Sequence, residues 1–243
     1  MSLRLPRLDP DPRAPFPPPG RALREPNGLL AFGGGLEPER LLAAYRAGIF
    51  PWYSPGEPIL WWSPDPRTCF EAARFRLARR LRRDLRGSPW QLSADRDFAA
   101  VIAACATVPR RGQYGTWITP EMQSAYLELH RRGHAHSVEV WEHGRLVGGI
   151  YGVAVGTVFC GESMFSLRSG ASKVALAGLC RQLAAWGVDL LDAQVDNPHL
   201  AGLGAIGLPR SEYLERLARP APPALPIGRW MNRFPVLAAV DLA

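Results

Sequence analysis

The chain has 243 residues, 47% apolar and 21% charged, with a formal net charge of +7. That length and balance predict a packed globular protein, either one large domain or a small one joined to a medium one. A disordered chain is excluded, and the positive excess suits a polyanionic partner. Lys173 is the only lysine, every other basic side chain being arginine. Cys69, Cys105, Cys160 and Cys180 are far apart with no C-x-x-C pair. They read as buried thiols of a reducing compartment rather than a zinc or redox motif. The N-terminal twenty residues lack the apolar core of a signal peptide. No charge-free apolar run of about 18 residues is present. A cytoplasmic protein without a membrane span is expected.

Residues 1–28 are proline-rich and read as extended. An apolar run then ends in the glycines at 33–35. Pro38 opens a short amphipathic helix over 40–47, stopped by Gly48. Residues 49–53 and 59–62 form an aromatic pair of segments around a Pro/Gly turn, and a domain boundary falls near Pro64–Pro66. Leu77, Leu81 and Leu85 recur at i, i+4 within 71–86, among Arg74, Arg76, Arg79, Arg80, Arg82, Arg83 and Arg86. This spacing predicts an amphipathic helix with an arginine-covered outer face. Helices over 95–105 and 119–132 follow, the second with Thr119 as N-cap and Pro120 in its first turn.

Residues 137–141, 146–153 and 157–165 predict an antiparallel meander, with a turn at Glu142–Gly144. A helix over 172–186 stops at Gly187, and 188–195 reads as a short apolar strand. Three antiparallel strands, a helix and a further strand are the core order of GNAT acyltransferases, an α/β (α+β) fold.

Asp192 and Gln194 stand two apart on that last strand, so alternation points both to one face. They are either satisfied polar groups at a strand end or a site where open α/β sheets place ligands. Glu162 lies in Phe159–Phe165 and is expected to share a face with Cys160 and Met164. His130, His134 and His136 lack a partner set for a metal, and no nucleotide-binding G-x-x-x-x-G-K-[ST] occurs. Gly161–Phe165 lacks the closing glycine of a hydrolase nucleophile elbow. No cofactor or metal is expected. The arginines Arg76, Arg79, Arg80 and Arg83 are either a solvated surface or a phosphate-binding face, and Trp52, Trp61, Trp62 and Trp117 are either core or platforms for an unpaired RNA end.

Several strings resemble the leucyl/phenylalanyl-tRNA–protein transferase family. They are Glu25–Gly35, Gly48–Tyr53, Ile59–Arg67, Gly115–Thr119, Gly133–Trp141, Phe159–Phe165, Ala171–Lys173, Asp192–Gln194 and Leu203–Ala205. The resemblance implies a small N-terminal domain (1–65) packed on a GNAT-like C-terminal domain (66–243). It implies transfer of Leu, Phe or, less well, Met from aminoacyl-tRNA to proteins beginning with Arg or Lys, marking them for degradation. Carried over, Asp192 and Gln194 are the catalytic pair, with Glu162 at the same centre. Trp52, Trp117, Tyr126 and Tyr45 contact the tRNA 3′ end and aminoacyl group, and Ile150 and Met164 line the side-chain pocket. On this reading Asp192 orients Gln194 and either stabilises charge on the attacking nitrogen or removes its proton, and the chain acts as a monomer. Two rival readings remain. An acyl-CoA transferase of GNAT type would carry a Q/R-x-x-G-x-G/A turn, which Ser166–Ser172 lacks. A non-catalytic tRNA-binding module would account for the arginines and tryptophans but not for Asp192 with Gln194.

Overall fold

The computed structural model describes residues 5–109, 116–219 and 227–243. Gly115, which opens one of the family-like strings, lies outside them. Strands β1 (Arg7–Leu8) and β2 (Leu29–Gly33) precede α1 (Pro38–Arg46), which buries Leu41, Leu42, Ala44 and Tyr45. Gly48 turns the chain with a φ of 71°, a conformation that costs glycine nothing. The aromatic segments then pair as β3 (Phe50–Pro51) and β4 (Leu60–Trp62). Together these strands make a four-stranded sheet in the order β1-β2-β4-β3.

The second sheet begins at β5 (Arg67–Glu71), just after the expected boundary. Helix α2 (Arg79–Leu85), β6 (Gln91–Ala94), α3 (Phe98–Thr107) and α4 (Pro120–Arg131) follow. Thr119 caps α4 as its sequence predicts, its Oγ1 accepting from the Met122 N–H. The meander is β7 (Ala135–Glu142), β8 (Arg145–Val155) and β9 (Val158–Ser166). Then come α5 (Ala171–Ala185), β10 (Leu190–Gln194), α6 (Pro198–Ala201), β11 (Ile206–Leu208), α7 (Arg210–Leu217) and β12 (Leu237–Ala238). The strand order is β11-β5-β10-β9-β8-β7-β6-β12. β10 lies parallel to β9 and antiparallel to β5. The expected meander, helix and further strand are therefore all present in this mixed α/β fold.

Both faces of this sheet are covered. Tyr151, Val153, Cys160 and Leu190 join a core that continues through Phe98, Tyr126 and Tyr45 to Trp61 and Leu30 of the first sheet. Ile150, Ala154, Phe159 and Leu191 face α5, Trp230 and Phe234 in a second core. Close packing of α5 needs a bare backbone at Gly148, where a Cβ would fall 2.4 Å from that of Ala171. Among the described residues, no helix is long and apolar enough to cross a membrane.

The arginine helix is shorter than its periodicity predicts. Ala72–Arg74 form a single 3₁₀ turn, and Phe75 packs edge-on against Phe70 at 5.6 Å. The chain then runs to Arg79 before α2 begins, so Leu77 is buried from outside the helix. Leucines spaced by four satisfy the core here without one continuous helix.

Candidate active site

β9 and β10 are paired only as far as Asp192↔Cys160. Just beyond, both strands are irregular. β9 shifts register against β8 between Tyr151↔Ser163 and Gly152↔Gly161, leaving Glu162 as the extra residue of a bulge. β10 shifts against β5 between Asp192 and Gln194, and Gln194 has a left-handed φ of 65°. That conformation is uncommon outside glycine and concentrates at functional sites. A cleft of about 870 Å³ opens where the pairing stops, and Glu162, Gln194, Ile150, Met164, Trp52 and Trp117 all line it.

The bulge corrects one expectation. Met164 does not share a face with Cys160, because the extra residue reverses the alternation. Met164 instead stands opposite Ile150 across the β8–β9 ladder, on the same side as Phe159 and Leu191. The two side chains expected to form one pocket are therefore neighbours.

Asp192 is fully buried. Its Oδ1 accepts from Arg67 Nε at 2.8 Å and from the Gln194 backbone N–H at 2.9 Å. Its Oδ2 accepts from Arg67 Nη2 at 2.8 Å and from Tyr213 Oη at 2.9 Å. Arg67 also donates to the Gly48 carbonyl and lies over the rings of Phe50 and Tyr213. Four donors occupy the carboxylate and a guanidinium neutralises it. Donors from within the protein thus enclose both carboxylate oxygens. Asp192 holds the backbone of Gln194.

Gln194 donates from Nε2 to Glu162 Oε1 at 2.7 Å. The same oxygen accepts from Tyr45 Oη at 2.8 Å, and Oε2 accepts from Tyr126 Oη at 2.9 Å. The two phenol oxygens also contact each other. Burial pushes the Glu162 carboxyl up to about 7, against the pull of donors Tyr45, Tyr126 and Gln194, and the charge of Asp192 adds to the rise. Tyr45 and Tyr126, expected to contact substrate, are 1% and 0% exposed and stand behind Glu162. They meet the cleft through that carboxyl, because α1 and α4 carry them in from the core side of the sheet.

Trp52 is 41% exposed and tilted against Trp62 at 5.6 Å, a free aromatic face on the cleft wall. Arg76, Arg79, Arg80 and Arg83 are all exposed. Helix α2, which carries the last three, rests by Leu81 on Gly170, just before α5, and Ser166 and Ser172 on either side of that turn also line the cleft. His136 is bound to Asp95 at 2.8 Å and stacked on Trp230, so it serves the core. Among the described residues no group of three or more His, Cys, Asp or Glu could hold a metal.

Arg67 and Tyr213 were missed in the sequence. Arg67 ends one family-like string, but nothing in its neighbourhood names a partner 125 residues away. Asp196 and His199 also line the cleft. Their closeness to Gln194 in the chain was the available signal.

The description "leucyl/phenylalanyl-tRNA protein transferase" belongs to a family model matching residues 69–218, and its N-terminal-domain model matches 34–65. The chain is 58% identical over 244 residues to a leucyl/phenylalanyl-tRNA–protein transferase of Xanthomonas campestris pv. campestris (strain B100), covering 100% of this chain and 98% of that one. It is 60% identical to the enzyme of that name from Xylella fastidiosa (strain M23), covering 87% of each. Among solved structures, L-PGS from Bacillus licheniformis matches with a TM-score of 0.38 and 9% identity, over 69% of this chain and 53% of that one. The chain is a member of the leucyl/phenylalanyl-tRNA protein transferase family.

Proposed function

We propose that this chain moves a leucyl, phenylalanyl or, less well, methionyl group from its tRNA ester to the α-amine of proteins beginning with Arg or Lys. The product is marked for N-degron proteolysis. The protein acts as a cytoplasmic monomer, with residues 1–65 and 66–243 as two domains about one cleft. The observation that carries the acceptor rule is the charge of the lining. In a chain of net charge +7, no Arg or Lys lines the cleft among the described residues, whereas Glu162 and Asp196 do. Such a lining favours a cationic acceptor and an uncharged aminoacyl group, while the phosphates fall to the arginines of α2.

The aminoacyl ester is already activated, so transfer needs no ATP. Holding amine and ester in near-attack geometry supplies effective molarities of about 10⁵ M or more. Gln194 spends its amide N–H on Glu162, which leaves its carbonyl oxygen to accept from the incoming amine and orient the lone pair. Asp192 is a positioning residue, fixing the strained backbone from which Gln194 projects. Ile150 and Met164 receive the aminoacyl side chain, and Trp52 and Trp117 stack the terminal bases.

The test is incubation with radiolabelled Leu-tRNA and peptides beginning with Arg, Ala or Asp. Label is expected on the Arg peptide alone, without added ATP. Bound tRNA with no transfer to any peptide would leave only a tRNA-binding module.

A further inference from the structure

Three oxygen–oxygen contacts close a ring around Glu162: Tyr45 to Oε1, Tyr126 to Oε2, and Tyr45 to Tyr126. Burial keeps both phenols far above the ordinary phenol range, so Tyr45 and Tyr126 face the carboxyl as neutral donors. The carboxyl thus sits where two phenols and the Gln194 amide converge, at the wall of the cleft.

We propose that Glu162 is the proton shuttle of the transfer, taking a proton as a carboxylate from the attacking amine and, as a neutral acid held by Tyr45 and Tyr126, giving it to the departing ribose oxygen. The inference rests on the aminoacyl-transfer reading. The nitrogen lone pair forms the bond to the ester carbonyl carbon. The bond from that carbon to the ribose oxygen breaks, its electron pair leaving with the oxygen. The proton shed by nitrogen ends on that oxygen, and Glu162 returns to its starting form.

Geometry favours Glu162 over Asp192 for this task. Glu162 lines the cleft and touches Gln194, whereas Asp192 has four donors, two of them from the Arg67 guanidinium. Facing Glu162 are Tyr45 from α1, Tyr126 from α4, Asp192 and Gln194 from β10, and Cys160 from its own strand. Arg67 of β5 is committed to Asp192. Asp196 and His199 share the cleft and are the rival proton acceptors. A carboxyl at about 7 sits close to the α-amine range of roughly 7.7–8.0, so the proton passes with little energetic penalty in either direction.

The experiment is single-turnover transfer from preloaded Leu-tRNA, followed against pH with two Arg peptides whose α-amine pKa values differ. In the wild type, one acidic limb, rising through about pH 7, stays put when the acceptor is changed. Glu162→Gln is expected to slow transfer by about 100-fold or more and to abolish that limb, with tRNA binding retained. Glu162→Asp is expected to retain the limb at a lower rate, and it decides the matter where Glu162→Gln does not fold. Glu162→Gln within about threefold of the wild type, or a limb that survives in it, would overturn the shuttle while leaving the transfer reading intact. A wild-type protein that transfers nothing would overturn both.

Discussion

Arg67 and Asp192 form a two-point ion pair, Nε to Oδ1 and Nη2 to Oδ2 at 2.8 Å each, with side chains 1% and 0% exposed. It spans neighbouring strands β5 and β10 at the register where their ladder becomes irregular. Tyr213 of α7 and the Gly48 turn after α1 are drawn to the same point. The pair thus joins four separated parts of the chain beneath the cleft, and its remaining oxygen capacity holds the Gln194 backbone.

Removing either partner strands the other as a buried charge. Arg67→Ala and Asp192→Ala should each cost about 3–5 kcal/mol in urea unfolding. The double variant should cost clearly less than the sum, since the stranded charge is gone. Transfer should fall together with stability, because the Gln194 backbone loses its anchor. A loss below about 1 kcal/mol in both single variants would show that the pair carries no such structural role.

The arginines of α2 make a separate claim, because none of them lines the cleft. Reversing Arg79, Arg80 and Arg83 to Glu should raise KM for tRNA with little change in kcat. Each lost phosphate contact should flatten the slope of log affinity against log salt by roughly 0.7–0.9. An unchanged slope removes this helix from the tRNA surface.

Ile150 and Met164 face each other across one ladder position. Opening that space with Ile150→Ala or Met164→Ala should shift the Leu-to-Phe ratio of kcat/KM toward the larger side chain. Changes of about 10- to 200-fold are the range open to a methylene-sized alteration in an apolar pocket. Competition between the two charged tRNAs measures the ratio directly. If neither variant moves it, the aminoacyl side chain sits elsewhere.

Much of the fold is legible in the chain itself. Thr119-Pro120 starts α4, Gly48 ends the turn after α1, and His143-Gly144 closes the β7–β8 hairpin with both φ values positive. Strand alternation sends Leu190 and Leu191 into opposite cores, whereas Gln194 lies beyond the register shift that follows Asp192. The C-terminal segment gave no such signal. Yet it buries Trp230 and Phe234, and its Trp230 N–H reaches Asp95 at 2.7 Å. Those residues join the core through contacts distant in sequence, which local periodicity does not record.

Resemblance of motif strings gave the family and placed Glu162 with Asp192 and Gln194. The mixed α/β class and the pairing of Asp192 with Gln194 on one strand rest on local patterns of one or two turns or strands, where side-chain direction follows from backbone geometry. Only the tertiary structure divided the work among these residues. Two bulges, invisible to a strict period of two, turned Met164 away from Cys160 and brought Glu162 against Gln194. Burial then separated two chemically similar carboxyls. Asp192 is paired with Arg67 and closed off, whereas Glu162 is raised to about 7 and left at the cleft. Solvation and partners far along the chain set that difference, and neither is written in the residues beside them.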